Sequence, residues 1–394
     1  MKRIGDIWED VVNVQNGISA IIDGTRFKRN QREVQTLFYP AEEVAKDKTL
    51  WHRIDVRKAR TYSERLCKEL SEKTWRHSPP RHRKQFCANR ASNGGKWRDL
   101  YIPSLDDHIV AHMVMSASMK AFARGMHPHC CGSVPGRGIK HVNTYVQKWM
   151  KNDKACRYFV KLDIRHFFDE INGDLLMQIL AGKIKDKDVL WTFEQIINSA
   201  PIPCPVGYYT SPWFANLYLE KLDWFVEQGL YKERRGKRVK YVRHYLRYVD
   251  DILLIGTSKT DLRKAVHGIE RFLRDERGLE VKPTWEIKPI GKHETESGKW
   301  QMKAGTYWCD IGGYKFCKDA TVMRDGIYLA TRRLAKRMSK RKSYTPFQSA
   351  SINSRLGWAS HCDSNNFVRT SIKPYVNIPQ TRRIISDVGK IRKQ

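Results

Sequence analysis

The chain has 394 residues, 41% of them hydrophobic, which is enough for two or three domains with packed cores. Lys and Arg number 73 against 42 Asp and Glu, so the formal charge is +31. This charge is spread along the whole chain, and it favours nucleic acid as the partner over a membrane surface.

The cysteines and the N-terminus argue against export. Nine cysteines are present without a C-x-x-C pair: Cys130 and Cys131 are adjacent, and Cys309 and Cys317 are too far apart for a zinc knuckle. We therefore expect reduced thiols and no zinc site. The first residues, "MKRIGDIWEDVV", lack the apolar core of a signal peptide, and no apolar run approaches a membrane span. A cytoplasmic protein without a membrane partner is expected.

The first 75 residues are charged and mostly helical in pattern, and the prolines of "WRHSPP" mark a boundary after them. From Lys84 to Pro103 the pattern predicts strand, turn and strand, with Lys96 and Arg98 on the returning arm. A basic hairpin suits phosphate contact, but a solvated edge strand protected by its charges explains this segment equally well.

A helical run begins near "DDHIVAHMVMSASMKAF", and the glycine-rich loop "CGSVPGRGIKH" follows it. Gly132, Gly136 and Gly138 allow close approach of the backbone, and Arg137 offers a fork of donors. Glycine-rich loops are common, so a phosphate cradle is a weak prediction from this loop alone.

The segment "RYFVKLDIRHFFDEI" predicts a strand that breaks into a helix just after Asp163. Taken alone, an aspartate at a strand end is best explained as a helix cap. Further on, "PVGYYTSPWFANLYLEKLDWFV" combines a glycine turn with a Ser-Pro helix start. The simplest interpretation of its apolar stripe is a helix face that packs in the core.

Two adjacent aspartates interrupt the apolar segment "RYVDDILLIG" (247–256). Asp250 and Asp251 could simply form the turn of a hairpin, because Asp is a common turn residue. A tight turn is also a rigid mount for carboxylates, whose repulsion a hard divalent cation such as Mg²⁺ would relieve. That second interpretation needs a third carboxylate, and Asp163 at the end of another apolar strand is the candidate.

The order of these motifs resembles that of the reverse transcriptases, specifically the bacterial non-retroviral ones. "SPWFANLYL" is similar to their second catalytic block, "RYVDDILLIG" to their third, and "IGGYKF" (311–316) to the primer-grip block that follows. The resemblance covers about residues 84–320, over half the chain.

The resemblance implies an α+β fold in the form of a right-hand polymerase, with fingers, a palm on a ferredoxin-like antiparallel sheet, and a helical thumb. The implied boundaries are 1–75 for an N-terminal helical extension, 76–155 for the fingers, 156–318 for the palm with insertions from the fingers, and 319–394 for the helical thumb and C-terminal tail.

The implied activity is RNA-directed DNA polymerase, a nucleotidyltransferase that uses two metal ions. Asp163, Asp250 and Asp251 are the implied catalytic residues and metal ligands, assisted by the backbone carbonyl of Ile164. Two Mg²⁺ ions are expected, for which Mn²⁺ can substitute.

The resemblance also implies how the substrate is held. Arg98 and Lys96 match the triphosphate contacts of the fingers, and Val206 and Gly207 match the turn beside the new base pair. Phe168 matches the aromatic gate that excludes a 2′-hydroxyl and so selects dNTPs. Without the family pattern, Phe168 would be interpreted as a core aromatic.

Nucleic-acid contacts are expected from the glycine-rich loop and from a basic helix in "YLATRRLAKRMSKRK". So dense a stripe of one sign is costly without a polyanion, although a solvated charged face is the alternative. The candidate residues are Arg137, Arg332, Arg333, Lys336, Arg337, Lys340 and Arg341.

Four features bear on the branch of the family. The chain ends too soon for the maturase region of group II intron proteins, and Val206 stands where retron enzymes carry Gln. An aliphatic there resembles the reverse transcriptases of diversity-generating retroelements, as does "RLGWASHCDSNNF" (355–367), but Pro212 replaces the Gln that follows their serine.

We therefore favour a small reverse transcriptase of antiphage defence that copies a dedicated structured non-coding RNA into cDNA. A diversity-generating retroelement enzyme making error-prone cDNA is the alternative. An RNA-dependent RNA polymerase is disfavoured by Phe168. The expected partners are the RNA template, the cDNA product, dNTPs, and an accessory protein or second subunit.

Overall fold

The computed structural model describes residues 3–29, 31–39, 54–89, 94–296 and 299–391. Within these ranges the chain begins with helices, continues as a long two-stranded ribbon, and then returns to helix. The elements are α1 (Trp8–Val11), α2 (Val14–Thr25), α3 (Arg32–Phe38), α4 (Val56–Ser71), β1 (Arg81–Asn89), β2 (Gly94–Ile102), α5 (Leu105–Ala123) and α6 (Ile139–Asn152).

A central sheet with its connecting helices comes next. Its elements are β3 (Tyr158–Asp163), α7 (Gly173–Lys183), α8 (Lys187–Ile197), α9 (Ser211–Tyr218), α10 (Glu220–Trp224), a π-helical turn (Phe225–Gly229), β4 (Tyr231–Arg234), β5 (Lys237–Lys240), β6 (His244–Tyr248), β7 (Asp251–Gly256), α11 (Lys259–Arg277) and β8 (Lys288–Pro289). The strands lie in the order β6–β7–β3–β8, and every neighbouring pair is antiparallel. With helices between β3 and β6 and between β7 and β8, this is the ferredoxin-like connection. The predicted α+β class and palm sheet are confirmed.

Short strands and a group of helices complete the described chain. They are β9 (His293–Glu296), β10 (Lys299–Met302), β11 (Cys309–Ile311), β12 (Tyr314–Phe316), β13 (Thr321–Met323), α12 (Asp325–Met338), α13 (Pro346–Ala359), α14 (Asn365–Ser371) and α15 (Ile378–Ile391). Strands β11, β12 and β13 form one antiparallel sheet. None of the helices in the described ranges has the length and apolar character that a bilayer span needs.

The two faces of the central sheet pack against different cores, because side chains alternate along a strand. Val160 and Leu162 belong to the larger core, which also contains the buried face of α11. Phe159 and Leu253 belong to a second core, shared with α6, with the sheet of β11 to β13, and with α12 and α13. Asp163 has the parity of Phe159, so it lies at the strand end on the face opposite α11.

The N-terminal helices are part of the larger core. Helix α2 packs against α4 and α5, and buried residues such as Ile21 and Leu66 join the same cluster as the sheet residue Leu162. The helical character expected here is confirmed for the described residues. The four domain boundaries stay predictions.

Several local predictions agree with the structure. The basic hairpin is the β1–β2 ribbon, with the cross-strand pair Gln85 and Arg98, although the centre of its turn lies outside the described residues. Helix α9 begins at Ser211 with Pro212 in its first turn. The two adjacent aspartates lie where β6 turns into β7.

Two predictions about helices were wrong. No helix starts just after Asp163, because residues 165–169 form turns in which His166 has a positive φ of 42°, and α7 begins only at Gly173. The basic helix is also shorter than expected. Helix α12 ends at Met338, and Lys340 and Arg341 lie in the segment that follows it.

A fully buried ion pair joins the sheet to α10. The Arg247 guanidinium donates from Nε to Asp223 Oδ1 at 2.6 Å and from Nη2 to Asp223 Oδ2 at 2.7 Å. Arg247 Nη1 also donates to Asn216 Oδ1 at 3.0 Å and to the Val249 carbonyl at 3.1 Å. The hydroxyl of Tyr245 donates to Asp223 Oδ1 at 2.6 Å. The two charges are therefore neutralised in bidentate geometry, with additional hydrogen bonds offsetting the cost of burial.

We expect Arg247→Ala to lower the free energy of unfolding by about 3–5 kcal/mol, because Asp223 would remain buried without its partner. Arg243→Ala is the matched control, since the Arg243 pair with Asp153 is 59% exposed on the arginine side and such pairs contribute about 0–1 kcal/mol. Urea unfolding of both variants measures the difference, and equal losses would contradict the assignment.

Candidate catalytic site

The turn between β6 and β7 is strained. Val249 has a φ of 59°, a left-handed conformation that a β-branched residue rarely adopts. Tyr248 pairs with Asp251 across the hairpin, so residues 249 and 250 form its two-residue loop. Such a turn lets two consecutive carboxylates leave the strand at its end.

Neighbouring groups hold this turn in place. The Val249 carbonyl accepts the hydrogen bond from Arg247. Gly132 packs so closely that a Cβ added there would lie 2.3 Å from Val249 Cγ2 and 2.7 Å from Val249 N. Only glycine fits at this contact. The first glycine of the glycine-rich loop thus supports the turn directly.

The third carboxylate lies beside this turn, as the sequence predicts. Asp163 at the end of β3 is the direct cross-strand neighbour of Asp251 on β7. The Nζ of Lys282 lies 2.7 Å from Asp163 Oδ1, and the Nζ of Lys161 lies 3.9 Å from Asp251 Oδ1. Three acids and two lysines therefore share one end of the sheet.

Burial raises the pKa of both Asp250 and Asp251 above the usual range of a carboxyl group. The carboxylates of Asp251 and Asp163 raise the pKa of Asp250 further, while Lys282 lowers it. For Asp251, Lys161 lowers the pKa and Asp163 raises it. The folded chain therefore opposes the negative charge of these groups, as expected for a site that a cation neutralises.

The donor set fits a hard divalent cation, which prefers carboxylate and carbonyl oxygens. Oδ1 of Asp163 is buried without a hydrogen bond, despite its nearness to Lys282. Ile164 forms an antiparallel bridge with Val281. The hydrogen bonds of this bridge are made by the neighbours of Ile164, because the Asp163 carbonyl accepts from Lys282 and the Arg165 N–H donates to Glu280. The Ile164 carbonyl therefore points away from Val281, toward the side of β3 on which β7 lies.

One observation limits this fit. Two groups of three potential metal-binding side chains occur among the described residues, each with its ligand atoms all within 4.8 Å of one another. The three aspartates do not form such a group. Lys282 holds Asp163 in this conformation. A metal ion would have to displace that ammonium group and draw the acids together.

The turn at Val206 and Gly207 lies against the base of the β1–β2 ribbon. The Tyr101 N–H donates to the Val206 carbonyl at 2.9 Å. Gly207 has a φ of 117°, and a Cβ there would lie 2.2 Å from the Tyr101 carbonyl oxygen. Lys96 and Arg98 lie on one exposed face of β2, and within the described residues neither makes an ion pair. Both cations are available to an anionic ligand.

Phe168 and Arg137 have more neighbours than the sequence indicates. Phe168 is half-buried in the turns after Asp163, packed on the larger core with its ring 5.3 Å from that of Phe167. Arg137 Nη1 donates to the carbonyls of His127 at 2.6 Å and Cys130 at 3.1 Å. Arg137 therefore closes its own loop, and phosphate binding by its other N–H groups stays a prediction.

The basic residues at the end of the described chain are exposed, and none of them forms an ion pair with a described acid. They lie on α12 and in the segment after it: Arg332, Arg333, Lys336, Arg337, Lys340 and Arg341. The Lys336 Nζ lies 5.8 Å from the ring centroid of Tyr375. This surface is suited to phosphate groups.

Sequence reasoning missed the groups that surround the acids. Lys161 and Lys282 carried no motif signal, although the alternation along β3 places Lys161 on the same face as Asp163. Arg324, which lowers the pKa of Asp251, pairs with Asp310 through its Nε at 2.8 Å. That pair connects the sheet of β11 to β13 with the start of α12.

The protein family described as "Reverse transcriptase (RNA-dependent DNA polymerase)" matches residues 89–284. This stretch contains β3 with Asp163, the turn at Gly207, the start of α9, and the turn with both aspartates. The matched segment and the ordered motifs therefore coincide.

Three curated relatives show how far the likeness extends. The retron Ec73 reverse transcriptase of Escherichia coli is 25% identical over 193 residues, covering 47% of this chain and 57% of that protein. The group II intron-encoded protein LtrA of Lactococcus lactis is 26% identical over 179 residues, with coverages of 42% and 29%. An "uncharacterized 91 kDa protein in cob intron" of Schizosaccharomyces pombe is 26% identical over 174 residues, with coverages of 42% and 21%. The chain spans less than two thirds of each relative.

Among solved structures, apo telomerase from Candida tropicalis aligns with a TM-score of 0.47 at 10% identity, over 98% of this chain and 80% of that one. The family match and the ferredoxin-like sheet with its acids at one end agree with the right-hand polymerase fold. Residues 89–284 therefore form a reverse transcriptase domain, and its relatives include a retron enzyme and a group II intron protein.

Proposed function

We propose that this protein is an RNA-templated DNA polymerase whose catalytic groups are Asp163, Asp250 and Asp251. The observation that carries the proposal is the pairing of Asp163 with Asp251 at the end of the sheet, inside the segment that matches the family. Reverse transcriptases normally use divalent metal ions. We propose two Mg²⁺ ions, for which Mn²⁺ can substitute.

In this proposal the carboxylates of Asp163 and Asp250, with the Ile164 carbonyl, would hold the metal ions, and Asp251 would complete the negative patch. Bound Mg²⁺ would supply a lowered pKa for the primer 3′-hydroxyl and positive charge to neutralise the triphosphate. The chain's own task is to hold three acids at the same end of the sheet before metal arrives. Lys161 and Lys282 do this by neutralising part of their charge.

The incoming nucleotide would be bound from two sides. Lys96 and Arg98 on the ribbon are exposed and suited to the triphosphate. Val206 and Gly207, fixed to the base of the same ribbon, would contact the new base pair. The ring of Phe168 would lie under the sugar and exclude a 2′-hydroxyl. Selection of dNTPs follows, which separates this function from RNA synthesis.

Two basic surfaces support an RNA partner. One is formed by α12 and the residues after it. The other is the β4–β5 hairpin, "YKERRGKRVK" (231–240), in which six of ten residues are Lys or Arg and the β5 arm is fully exposed. The hairpin leads into the His244 end of β6, away from the catalytic turn. It is therefore suited to a part of the RNA that lies away from the turn with Asp250 and Asp251.

For the biological role we propose antiphage defence, with a dedicated structured non-coding RNA as the template and an accessory protein or second subunit as a further partner. A diversity-generating role is the second candidate, favoured by Val206. Sequencing of the RNA that co-purifies with the protein and of its cDNA distinguishes the two. Errors concentrated opposite template adenines would support the second candidate.

The activity is tested by Asp163→Asn and Asp250→Asn. Each should reduce DNA synthesis on a primed RNA template to background, because an amide cannot supply the charge that binds Mg²⁺. RNA binding should be unchanged. Asp169→Asn, an exposed acid in the turns after β3, is the control. Substantial synthesis by both site variants would exclude the proposed centre.

The raised pKa values predict a cost in stability. A carboxyl whose pKa is raised by folding destabilises the fold once it ionises, so the cost is absent at acid pH and fully present at neutral pH. Without divalent metal at pH 7, Asp250→Asn should raise the melting temperature by roughly 1–3 °C. The gain should shrink as the pH falls through the raised pKa. Thermal unfolding with and without Mg²⁺ measures it, and Mg²⁺ should stabilise only the wild-type protein.

Phe168→Ala should admit ribonucleotides, because removal of the ring opens space for one hydroxyl group. Such a steric gate is worth about 1–3 kcal/mol, or roughly 10- to 200-fold in discrimination. Competition between dNTPs and rNTPs in primer extension measures the ratio, and Phe168→Leu, which keeps bulk, is the control. An unchanged ratio in the alanine variant would locate the gate elsewhere.

Neutralising Arg333, Arg337 and Arg341 together should flatten the salt dependence of RNA binding. Each phosphate contact contributes about 0.9 to the slope of log affinity against log salt, so the slope should fall by up to about 3. The control removes the same charge from exposed positions on α11, on the opposite side of the central sheet: Arg263, Lys264 and Arg271. Equal changes in both triple variants would mean that only net charge matters.

A further inference from the structure

A second group of potential metal ligands lies at the junction of β9 with the turn after β12. His293 begins β9, and Cys317 and Asp319 lie in the turn between β12 and β13. His293 Nδ1 is 3.0 Å from Asp319 Oδ1, Cys317 Sγ is 3.1 Å from Asp319 Oδ1, and Cys317 Sγ is 3.8 Å from His293 Nδ1. We infer that these three side chains bind one zinc ion.

The triangle formed by the three ligand atoms has the size that tetrahedral zinc requires. Zn–S bonds of about 2.3 Å and Zn–N and Zn–O bonds of about 2.0–2.2 Å place ligand atoms roughly 3.4–3.6 Å apart. The observed separations of 3.0, 3.1 and 3.8 Å bracket that value. Shifts of a few tenths of an ångström would complete the geometry. The fourth position is left for water.

The alternative is a purely hydrogen-bonded triad, in which Asp319 accepts from both His293 and Cys317. The backbone favours a metal site because it fixes each ligand independently. The His293 N–H donates to Asp319 Oδ2 at 2.9 Å, which leaves Oδ1 directed at the other two ligands. The Cys317 N–H donates to the Ala320 carbonyl at 2.9 Å, and the Lys318 N–H donates to the Gly291 carbonyl at 2.8 Å. Such hydrogen bonds hold metal ligands in position.

A cluster of the same composition shows what a site without metal would look like. In the group of Asp153, Cys156 and His244, the Arg243 Nε donates to Asp153 Oδ2 at 2.8 Å. That arginine lowers the pKa of Asp153 to about 2. Its cation already neutralises the carboxylate and would repel a metal ion. For Asp319, the ion pair found among the described residues is with His293 itself.

Zinc binding would be accompanied by loss of a proton. Burial raises the pKa of the Cys317 thiol to about 12, so without metal the group is protonated at neutral pH. The ion takes the sulfur as thiolate, and the thiol proton leaves to solvent. The ion would tie β9 to the strand pair β12–β13, whose buried residues Tyr314, Phe316 and Met323 belong to the second core. The expected effect of the ion is therefore on the stability of this junction.

Cobalt(II) is the probe, since it occupies zinc sites and a thiolate ligand gives it a charge-transfer band. The chelator-stripped full chain should bind one equivalent with such a band, and zinc should displace it. Cys317→Ser should abolish the band, whereas Cys156→Ser should retain it. Asp319→Asn, which keeps the side-chain shape, should weaken zinc binding at least tenfold.

Thermal unfolding provides a readout independent of colour. Zinc should raise the melting temperature of the wild-type protein and of Cys156→Ser, but not that of Asp319→Asn. The inference is overturned if the wild-type protein gives no thiolate band, or if Cys317→Ser retains the band. Loss of the band in Cys156→Ser alone would assign the metal to the other cluster and would equally overturn it. None of these outcomes depends on DNA synthesis.

Discussion

The buried pair of Arg247 and Asp223 is the constraint on which the candidate catalytic site depends. One guanidinium holds an acid from α10, Asn216 from α9 and the carbonyl of Val249 in the turn. Replacing such a pair by apolar residues is often neutral for stability, so its value here is geometric. It fixes a strained residue directly before Asp250, and the close contact of Gly132 helps to sustain that strain.

Because side chains alternate along each strand, one face of the central sheet serves packing alone and the other face also carries the acids. One face is covered by α11 and the larger core, and it needs no charge. The other face carries the acids at one end, next to a second core that includes strands β11 to β13. Lys161 and Lys282 compensate the acids, while 41% of the Asp251 side chain stays exposed, so solvent also screens them. The three acids are therefore held at one end of the sheet before any ligand binds, at a cost that the rest of the core offsets, and a metal ion would still have to draw them closer together.

Sequence patterns that span only a few residues predicted much of the local structure. The alternation of apolar and polar residues predicted the strands that carry Asp163 and Asp251. The Ser211–Pro212 pair predicted the start of α9. The ion-pair partners of Arg247 and Asp163 are Asp223 and Lys282, which lie far from them in the sequence. No local sequence pattern predicts either partner. The positive φ at His166 replaced the expected helix after Asp163 by turns. Helix α12 ends at Met338 rather than continuing through the basic run, because charge density does not fix where a helix stops.

The contact between Tyr101 and the turn at residues 206 and 207 has a mechanical consequence. A hydrogen bond on one side and a glycine without room for a side chain on the other make the ribbon's base and this turn a single rigid piece. The ribbon extends from that joint with its cations exposed, so any swing toward the acids must rotate Val206 with it. Under the proposed function, closing over a triphosphate and tightening around the nascent base pair would then be one motion, and an ill-fitting pair would resist the closure itself.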